Sequence, residues 1–337
     1  MLGAIYNGGQ ELLINNLPIR GLKENEVLIK IDSATICGTD VLILDGKVKT
    51  KKPVVIGHEF AGYVEEVGKE VFACEEGDLV TVEPHIFCGV CKFCRIGKIQ
   101  KCLNKKAFGV HLNGGFAQYV IVPQDTVYKV PSSLSPEEAA LTENVGCCMH
   151  GIQRAAIEMG DTVVVLGGGF VGILLAQLAK KRGASLVIVS EPHQQRREIV
   201  KKRGADLVID PFKDSIEEVV RDQTGGLGVD LVIEAAGRSE TAKQALQLVS
   251  KCGTVMFYGI VPPGEKVEIE PNIIFEHELK IIGSNINPFQ HYRTLQLLPD
   301  LALKELITHT FSLNEIMKGI AVARNGEGLK VCIKPNQ

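Results

Sequence analysis

The sequence predicts an α/β protein in which a barrel-like β domain is followed by a doubly wound parallel sheet. Continuous apolar strands alternate with helical stretches after residue 160, the signature of a parallel sheet covered on both faces. Short β-rich segments broken by Gly and Pro occupy the chain before residue 150. A final strand-like segment follows after the parallel sheet is already complete, so it is expected to return to the first domain. A chain of 337 residues also suits two domains better than one core.

The parallel sheet is read element by element. Thr162-Val163-Val164-Val165-Leu166 is apolar without alternation. A helix is expected over 170–182, closed by Gly183. Then come a strand at 186–189, a helix at 193–203 closed by Gly204, a strand at 207–209 and a helix at 215–223. Strands at 230–234, 254–258 and 279–282 bring the total to about six. In the β-rich part, 27–31, 62–66, 79–82 and 117–122 read as strands. Beyond Pro288 the pattern turns helical and ends in a strand at 329–333. The expected boundaries are therefore 1–150, 151–288 and 289–337.

Composition excludes several classes. Hydrophobic residues make up 45% and charged residues 23%, enough apolar matter for a sizeable core under an ordinary soluble surface. A formal net charge of −3 gives no electrostatic reason to expect nucleic acid or an anionic membrane as partner. The basic run 47–52 reads as a solvated loop. No stretch is long and apolar enough to span a bilayer, and the first residues lack the pattern of a secretory signal. A cytoplasmic protein is the expectation.

Gly167-Gly168-Gly169-Phe170-Val171-Gly172 follows an apolar strand and opens a helix, the context in which G-x-G-x-x-G binds a dinucleotide. Gly167 permits the tight turn, Gly169 lets the backbone approach a pyrophosphate, and Gly172 lets the helix pack close to the sheet. The second strand ends in Ser190-Glu191. A carboxylate there accepts hydrogen bonds from both ribose hydroxyls of NAD and repels the extra phosphate of NADP. Arg196 and Arg197 lie close by and would soften that preference. NAD on a Rossmann-type domain is the reading.

Four of the ten cysteines fall within fifteen residues, as Cys88, Cys91, Cys94 and Cys102. The spacing Cys-x2-Cys-x2-Cys-x7-Cys lets a tight knuckle aim four thiolates at one zinc ion. Four protein ligands close the coordination shell, which makes this zinc structural. An iron–sulfur cluster is the competing reading, and the Cys-Pro ending of ferredoxins is missing.

A second constellation is sparser: Cys37 in Cys37-Gly38-Thr39-Asp40, and His58-Glu59 between Gly57 and Gly62. Singly, each residue has a bland reading as buried thiol, core histidine or surface acid. Together with the four-cysteine lobe and the glycine turn, in this order and spacing, the sequence resembles the zinc-dependent medium-chain dehydrogenase/reductase family of the alcohol dehydrogenase superfamily. The resemblance covers essentially the whole chain and is nearest to the polyol (sorbitol-like) and threonine dehydrogenase branch. It implies a GroES-like β-barrel catalytic domain carrying the zinc lobe at about 84–104, and two zinc ions per chain.

By that resemblance, Cys37 and His58 bind a catalytic zinc, with Glu59 as an adjoining ligand. Glu143 would be the further carboxylate ligand of the branch, although Asn144 stands where the branch usually has Pro. Cys147 and Cys148, one helical turn on, compete with Glu143 for that place. Zinc would act as a Lewis acid on an alcohol, and Thr39 would pass the proton. His85 resembles an active-site histidine of threonine dehydrogenases, and Asp40 would orient a metal ligand. His111, His150, His193, His277, His291 and His309 have no spacing argument and read as structural. Cofactor contacts carry over to Phe170, Val171, Ala236, Tyr258, Ile260 and Ser284.

The expected reaction is oxidation of a secondary alcohol in a small polyol or sugar alcohol to a ketone. A threonine-like amino alcohol is the alternative; Leu42 and Ile43 stand where the threonine branch commonly has a His. From other classes come a zinc-free reductase on the same fold, and a non-catalytic NAD- or zinc-binding protein. The zinc-free relatives lack the Cys37, His58 and Glu59 set. The resemblance implies a homo-tetramer or homo-dimer, with 255–258 and 271–278 as candidate material for an inter-subunit sheet.

Overall fold

A computed structural model describes residues 1–262 and 264–337 of the chain. The chain divides into two compact units, Met1–Gly146 with Pro288–Gln337, and Cys147–Asn287.

In the second unit six parallel strands form one sheet. Their spatial order is Leu207–Ile209, Leu186–Ser190, Thr162–Leu166, Val229–Glu234, Val249–Phe257 and Lys280–Gly283. The winding therefore reverses between the first and fourth strands, the point where such sheets bind ligands at their carboxyl ends. Val163, Val164, Val165 and Leu166 are completely buried, which explains why this strand shows no polar alternation. The helix Phe170–Arg182 is buried from Ile173 through Ala179. Its basic last turn, Lys180 to Arg182, complements the negative end of the helix, and Gly183 closes it at φ 112°.

Two expectations need correction here. The segment 271–278 does not offer a strand: Pro271–Glu276 is a helix, with Pro at the first position where a missing N–H costs nothing. The strand around 255–258 is interior, paired on both sides, so it has no edge for another subunit. It is also longer than expected, because the chain bulges at Cys252, which has φ 62°.

The first unit holds the β-rich part. Leu13–Asn16, Leu2–Tyr6 and Val54–Val55 make a small antiparallel sheet. The larger sheet runs Val127–Lys129, Leu79–Val82, Glu59–Val67, Glu26–Thr35, Lys330–Lys334 and Ile307–Ser312, with Tyr119–Pro123 also on Glu26–Thr35. Ile29, Ile31, Phe60, Val80, Phe116 and Val122 share one core with Ile316, Ile320 and Ile333 from the end of the chain. Lys330–Lys334 pairs antiparallel with Glu26–Thr35, Cys332 opposite Thr35. The strand Ile307–Ser312 lies inside the stretch expected to be helical; the helices there are His291–Leu297 and Ile316–Asn325.

The segment 84–104 is built from small pieces. His85–Ile86 pairs with Lys106–Ala107 at its neck. Between them come one turn of helix, Lys92–Arg95, and a 3-10 turn, Ile99–Lys101.

Candidate active site and metal centres

Strand register brings the sparse constellation together. Glu26–Thr35 and Glu59–Val67 pair antiparallel with Thr35 opposite Glu59. Cys37, two residues past one strand, therefore meets His58, one residue before the other. Cys37 also opens the helix Gly38–Leu44, and Asp40 folds back so that its Oδ2 accepts the Cys37 N–H at 2.8 Å. Gly57 has φ 91°, and a side chain there would strike the Phe116 ring at 2.8 Å, so this turn into His58 admits only glycine.

The ligand atoms of Cys37, His58 and Glu59 all lie within 4.8 Å of one another. His58 Nε2 is 3.9 Å from Glu59 Oε1, too long for a hydrogen bond yet within reach of one shared ion. His58 Nδ1 faces Asp40 Oδ1 at 3.7 Å, the partner expected behind a metal-bound imidazole. Burial would lower the His58 pKa, but the Cys37 sulfur and Asp40 outweigh it and hold it well above the usual range. Burial and the Glu59 charge raise the Cys37 thiol. Carboxylates at Asp40 and Glu59 thus crowd one half-buried thiol and a buried imidazole. A divalent cation suits that donor set, and the residues fit zinc. Thr39 Oγ1 lies 3.7 Å from Cys37 Sγ.

Lys330 is a member of this site that sequence reasoning missed. It is 5% exposed, and its Nζ lies 2.6 Å from Glu59 Oε2. Thr35 donates a very short hydrogen bond to the same oxygen. Burial opposes the charge on both members; their mutual attraction outweighs it, lowering the Glu59 pKa and raising that of Lys330. A charged residue opening the strand Lys330–Lys334, directly before the apolar Val331-Cys332-Ile333, was the available signal. Glu143 is buried in the first turn of the helix Thr142–Ala155 and lies outside the 4.8 Å group. Cys148, on the same helix, accepts the Tyr258 hydroxyl at 3.6 Å.

His85 belongs to a different cluster. Its Nδ1 is 2.7 Å from Glu83 Oε1, while Glu83 Oε2 is 3.3 Å from His291 Nδ1. The Tyr128 ring packs on His291 at 4.9 Å. Burial would raise the Glu83 pKa, but the two imidazoles hold it down to about 2. His291, read as structural from sequence, is a buried member of this carboxylate-bridged pair.

The four-cysteine lobe is compact. Cys91 and Cys94 sulfurs are 3.6 Å apart, Cys88 and Cys94 sulfurs 4.0 Å. Sulfurs at the corners of a tetrahedron around zinc, with bonds of about 2.3 Å, would be ~3.8 Å apart. The observed spacings match that edge and are far beyond a disulfide bond. Backbone N–H groups of Leu103 and Cys94 bring the Cys91 thiol down to about 6. Lost solvation and the neighbouring sulfurs push Cys94 up to about 12. A cation shared by all four resolves that conflict. These cysteines also fit zinc.

In the second unit the glycine turn has the geometry of a phosphate cradle. Gly167 has φ 106°, and a side chain at Gly172 would collide with the Gly167 carbonyl at 1.9 Å. Phe170 and Val171 begin the helix, whose first-turn N–H groups point out of its end. Glu191 is buried; its Oε2 accepts the Gly168 N–H at 2.8 Å and its Oε1 the His193 N–H at 2.9 Å. The two arginines differ. Arg197 is locked onto the Glu191 and Pro192 carbonyls and onto Asp210, whereas Arg196 reaches within 3.8 Å of the Gly169 position. Ala236 N–H is given to Glu234 Oε1, Ile260 is largely exposed, and Ser284 Oγ is buried without a hydrogen bond among the described residues.

Comparison with known proteins agrees with both units. Residues 23–132 match the family model of the alcohol dehydrogenase GroES-like domain, and residues 171–300 that of the zinc-binding dehydrogenase. The chain is 41% identical over 311 residues to an L-threonine 3-dehydrogenase of Pyrococcus horikoshii, covering 90% of this chain and 88% of the relative. It is 33% identical over 317 residues to a sorbitol dehydrogenase of Halalkalibacterium halodurans, covering 93% and 92%. Among solved structures, a zinc-binding dehydrogenase of Sinorhizobium meliloti bound to NADP superimposes with a TM-score of 0.94 at 37% identity, covering 99% of each chain. The chain belongs to the zinc-dependent medium-chain dehydrogenase family of the alcohol dehydrogenase superfamily and is an oxidoreductase.

Proposed function

We propose that this protein oxidises a secondary alcohol of a small polyol or sugar alcohol to the ketone, with NAD as hydride acceptor. The observation that carries the reading is the convergence of Cys37, His58 and Glu59 ligand atoms within 4.8 Å in a buried site. Cys37 and His58 would hold the catalytic zinc, with Glu59 and Glu143 as its carboxylate neighbours. Zinc held there would supply Lewis acidity toward a substrate hydroxyl, and a bound nicotinamide would supply the hydride-accepting ring. Asp40 Oδ1 lies 3.7 Å from His58 Nδ1, beyond hydrogen-bond reach, and its charge would favour a ring that presents Nε2 to the metal. Thr39, beside Cys37, would relay the hydroxyl proton, accepting it as its own hydroxyl proton passes on toward solvent. Cys88, Cys91, Cys94 and Cys102 would hold a second, structural zinc.

The division of labour follows: residues 1–150 with 289–337 as the catalytic domain, 151–288 as the cofactor domain. Gly167, Gly169, Phe170, Val171 and Gly172 would cradle the pyrophosphate, with Glu191 toward the ribose and Arg196 beside it. Ala236, Tyr258, Ile260 and Ser284 complete the proposed cofactor contacts. His85, fixed by Glu83, is assigned to the substrate end. The cofactor preference rests on the Glu191 carboxylate, whose charge disfavours the NADP phosphate. A cytoplasmic homo-tetramer or homo-dimer without nucleic-acid or membrane partners is part of the reading.

A second reading is an L-threonine-like amino alcohol as substrate, supported by the 41% identity to a threonine dehydrogenase. Both substrates carry a secondary carbinol next to a carbon bearing a polar group. A panel of polyols and amino alcohols, followed by the absorbance of reduced nicotinamide, separates them. Turnover of polyols with none of L-threonine supports the first reading. The reverse result replaces it with the second, and silence on the whole panel refutes both.

A further inference from the structure

Asn144 stands where the polyol and threonine branch usually has Pro, and its contacts give that difference a purpose. Its Nδ2 donates to Glu59 Oε1 at 2.6 Å and lies 3.5 Å from Glu143 Oε2. One amide nitrogen therefore faces both carboxylates proposed to flank the metal. Glu59 Oε1 is also the oxygen that faces His58 Nε2 at 3.9 Å. Lys330 and Thr35 hold the opposite oxygen, Oε2. The carboxylate is thus pulled from two ends, and Asn144 is the pull on the metal side.

The amide orientation is fixed by chemistry. A flipped Asn144 would set its carbonyl oxygen against the Glu59 carboxylate, a contact between two acceptors. In the orientation present, Oδ1 is buried and has no hydrogen-bond partner among the described residues. An unmet buried acceptor is unfavourable for the fold, so packing does not explain an amide here. Helix formation does not explain it either, because the first turn of Thr142–Ala155 tolerates Pro.

We propose that Asn144 is a positioning residue that holds Glu59 Oε1 at the metal face against the pull of Lys330 and Thr35. Without its N–H, Glu59 turns toward Lys330, and the metal loses a prealigned carboxylate. The inference rests on the assignment of Cys37 and His58 as metal ligands. Proline at this position could not act in this way, since it has no side-chain donor.

The test uses the full chain with Asn144→Leu, close in shape but without a donor, and Asn144→Ala in case the first fails to fold. Both are loaded with zinc, and separately with Co(II), whose visible spectrum reports the ligands directly. The expected result is release of one of two zinc equivalents to a chelator about tenfold faster than wild type, the size typical of lost outer hydrogen bonds. The Co(II) bands that Cys37→Ser removes should shift. Thermal stability should stay near wild type, because the unmet Oδ1 and the donor to Glu59 are lost together. In a Glu59→Gln background, Asn144→Leu should add little, since the two act through one contact. Unchanged release and an unchanged Co(II) spectrum overturn the role of Asn144 while leaving the metal site standing. Wild-type protein with no Co(II) band sensitive to Cys37→Ser overturns the metal assignment and the inference with it.

Discussion

The two metal centres proposed for this chain are opposites in construction. The four-cysteine lobe draws its candidate ligands from fifteen consecutive residues, Cys88, Cys91 and Cys94 half-buried and Cys102 buried, with the sulfurs facing one another and backbone N–H groups. The Cys37 centre draws on residues 37, 58, 59, 143, 144 and 330, nearly all buried, where each carboxylate already has protein partners. Four soft donors at tetrahedral spacing would leave a zinc ion nothing further to bind, which makes the lobe, on the proposed reading, a brace. Two soft or borderline donors, with a carboxylate that Asn144 and Lys330 pull from opposite ends, would leave a metal there an open position for a substrate hydroxyl. Reactivity here comes from incompleteness, and stability from closure.

Paired substitutions test that contrast most strongly. Cys37→Ala or His58→Ala should cost at least several kcal/mol of transition-state stabilisation, about 10³-fold or more in kcat, with NAD binding and the folded far-UV spectrum retained. Cys94→Ser should instead release the other zinc and loosen the segment 84–104 to proteolysis, with kcat reduced less than about tenfold in protein kept cold. Equal losses of turnover from both would erase the distinction between a working zinc and a bracing one.

The Glu83 cluster shows what ties the lobe down, and it supplies the next test. Glu83 holds His85 at the neck of the lobe and His291 from the C-terminal segment. Its folded pKa of about 2 lies below the ordinary glutamate value of 4.5. The stability it contributes is therefore fully present above pH ~4.5 and is lost as pH falls through about 2. Glu83→Gln should cost on the order of 3 kcal/mol at neutral pH. The difference from wild type in denaturant titrations should shrink steadily between about pH 4.5 and pH 2. A difference independent of pH would mean that packing, and not charge, anchors the lobe.

What could be read in the sequence follows the same divide. The parallel sheet was legible because its central strands, such as Thr162–Leu166, are buried on both faces and so advertise themselves as apolar runs. The cysteine lobe was legible because its ligands are local. Leu13–Asn16 was not, since its residues are mostly exposed and it exists only by pairing with Leu2–Tyr6. The segment 271–278, offered by the resemblance as inter-subunit sheet material, is instead a helix started at Pro271. Lys330 and His291 were invisible as site members, because nothing local to them encodes a partner some two hundred residues away or more. Cys37 and His58 were readable as a motif, whereas Lys330 and Asn144, which bear on Glu59 beside them, come from a distant strand and helix.

The cofactor turn extends the comparison, since it too is closed before any ligand arrives. Glu191 gives one oxygen to the Gly168 N–H and the other to the His193 N–H, which fixes its charge behind the glycine turn. A carboxylate oxygen has two lone pairs, so each can still accept a ribose hydroxyl. Its charge would meet the NADP phosphate in a buried setting, where repulsion is weakly screened. Arg196 beside Gly169 offsets only part of that, because Arg197, the other cation there, is spent on Asp210 and two carbonyls. Glu191→Ala should lower kcat/KM for NAD about tenfold, ~1.4 kcal/mol, and leave that for NADP unchanged or raised. Arg196→Ala should push the ratio the other way by a smaller factor. A wild-type enzyme that already favours NADP would mean that Arg196 outweighs Glu191, and that the buried carboxylate serves only to shape the turn.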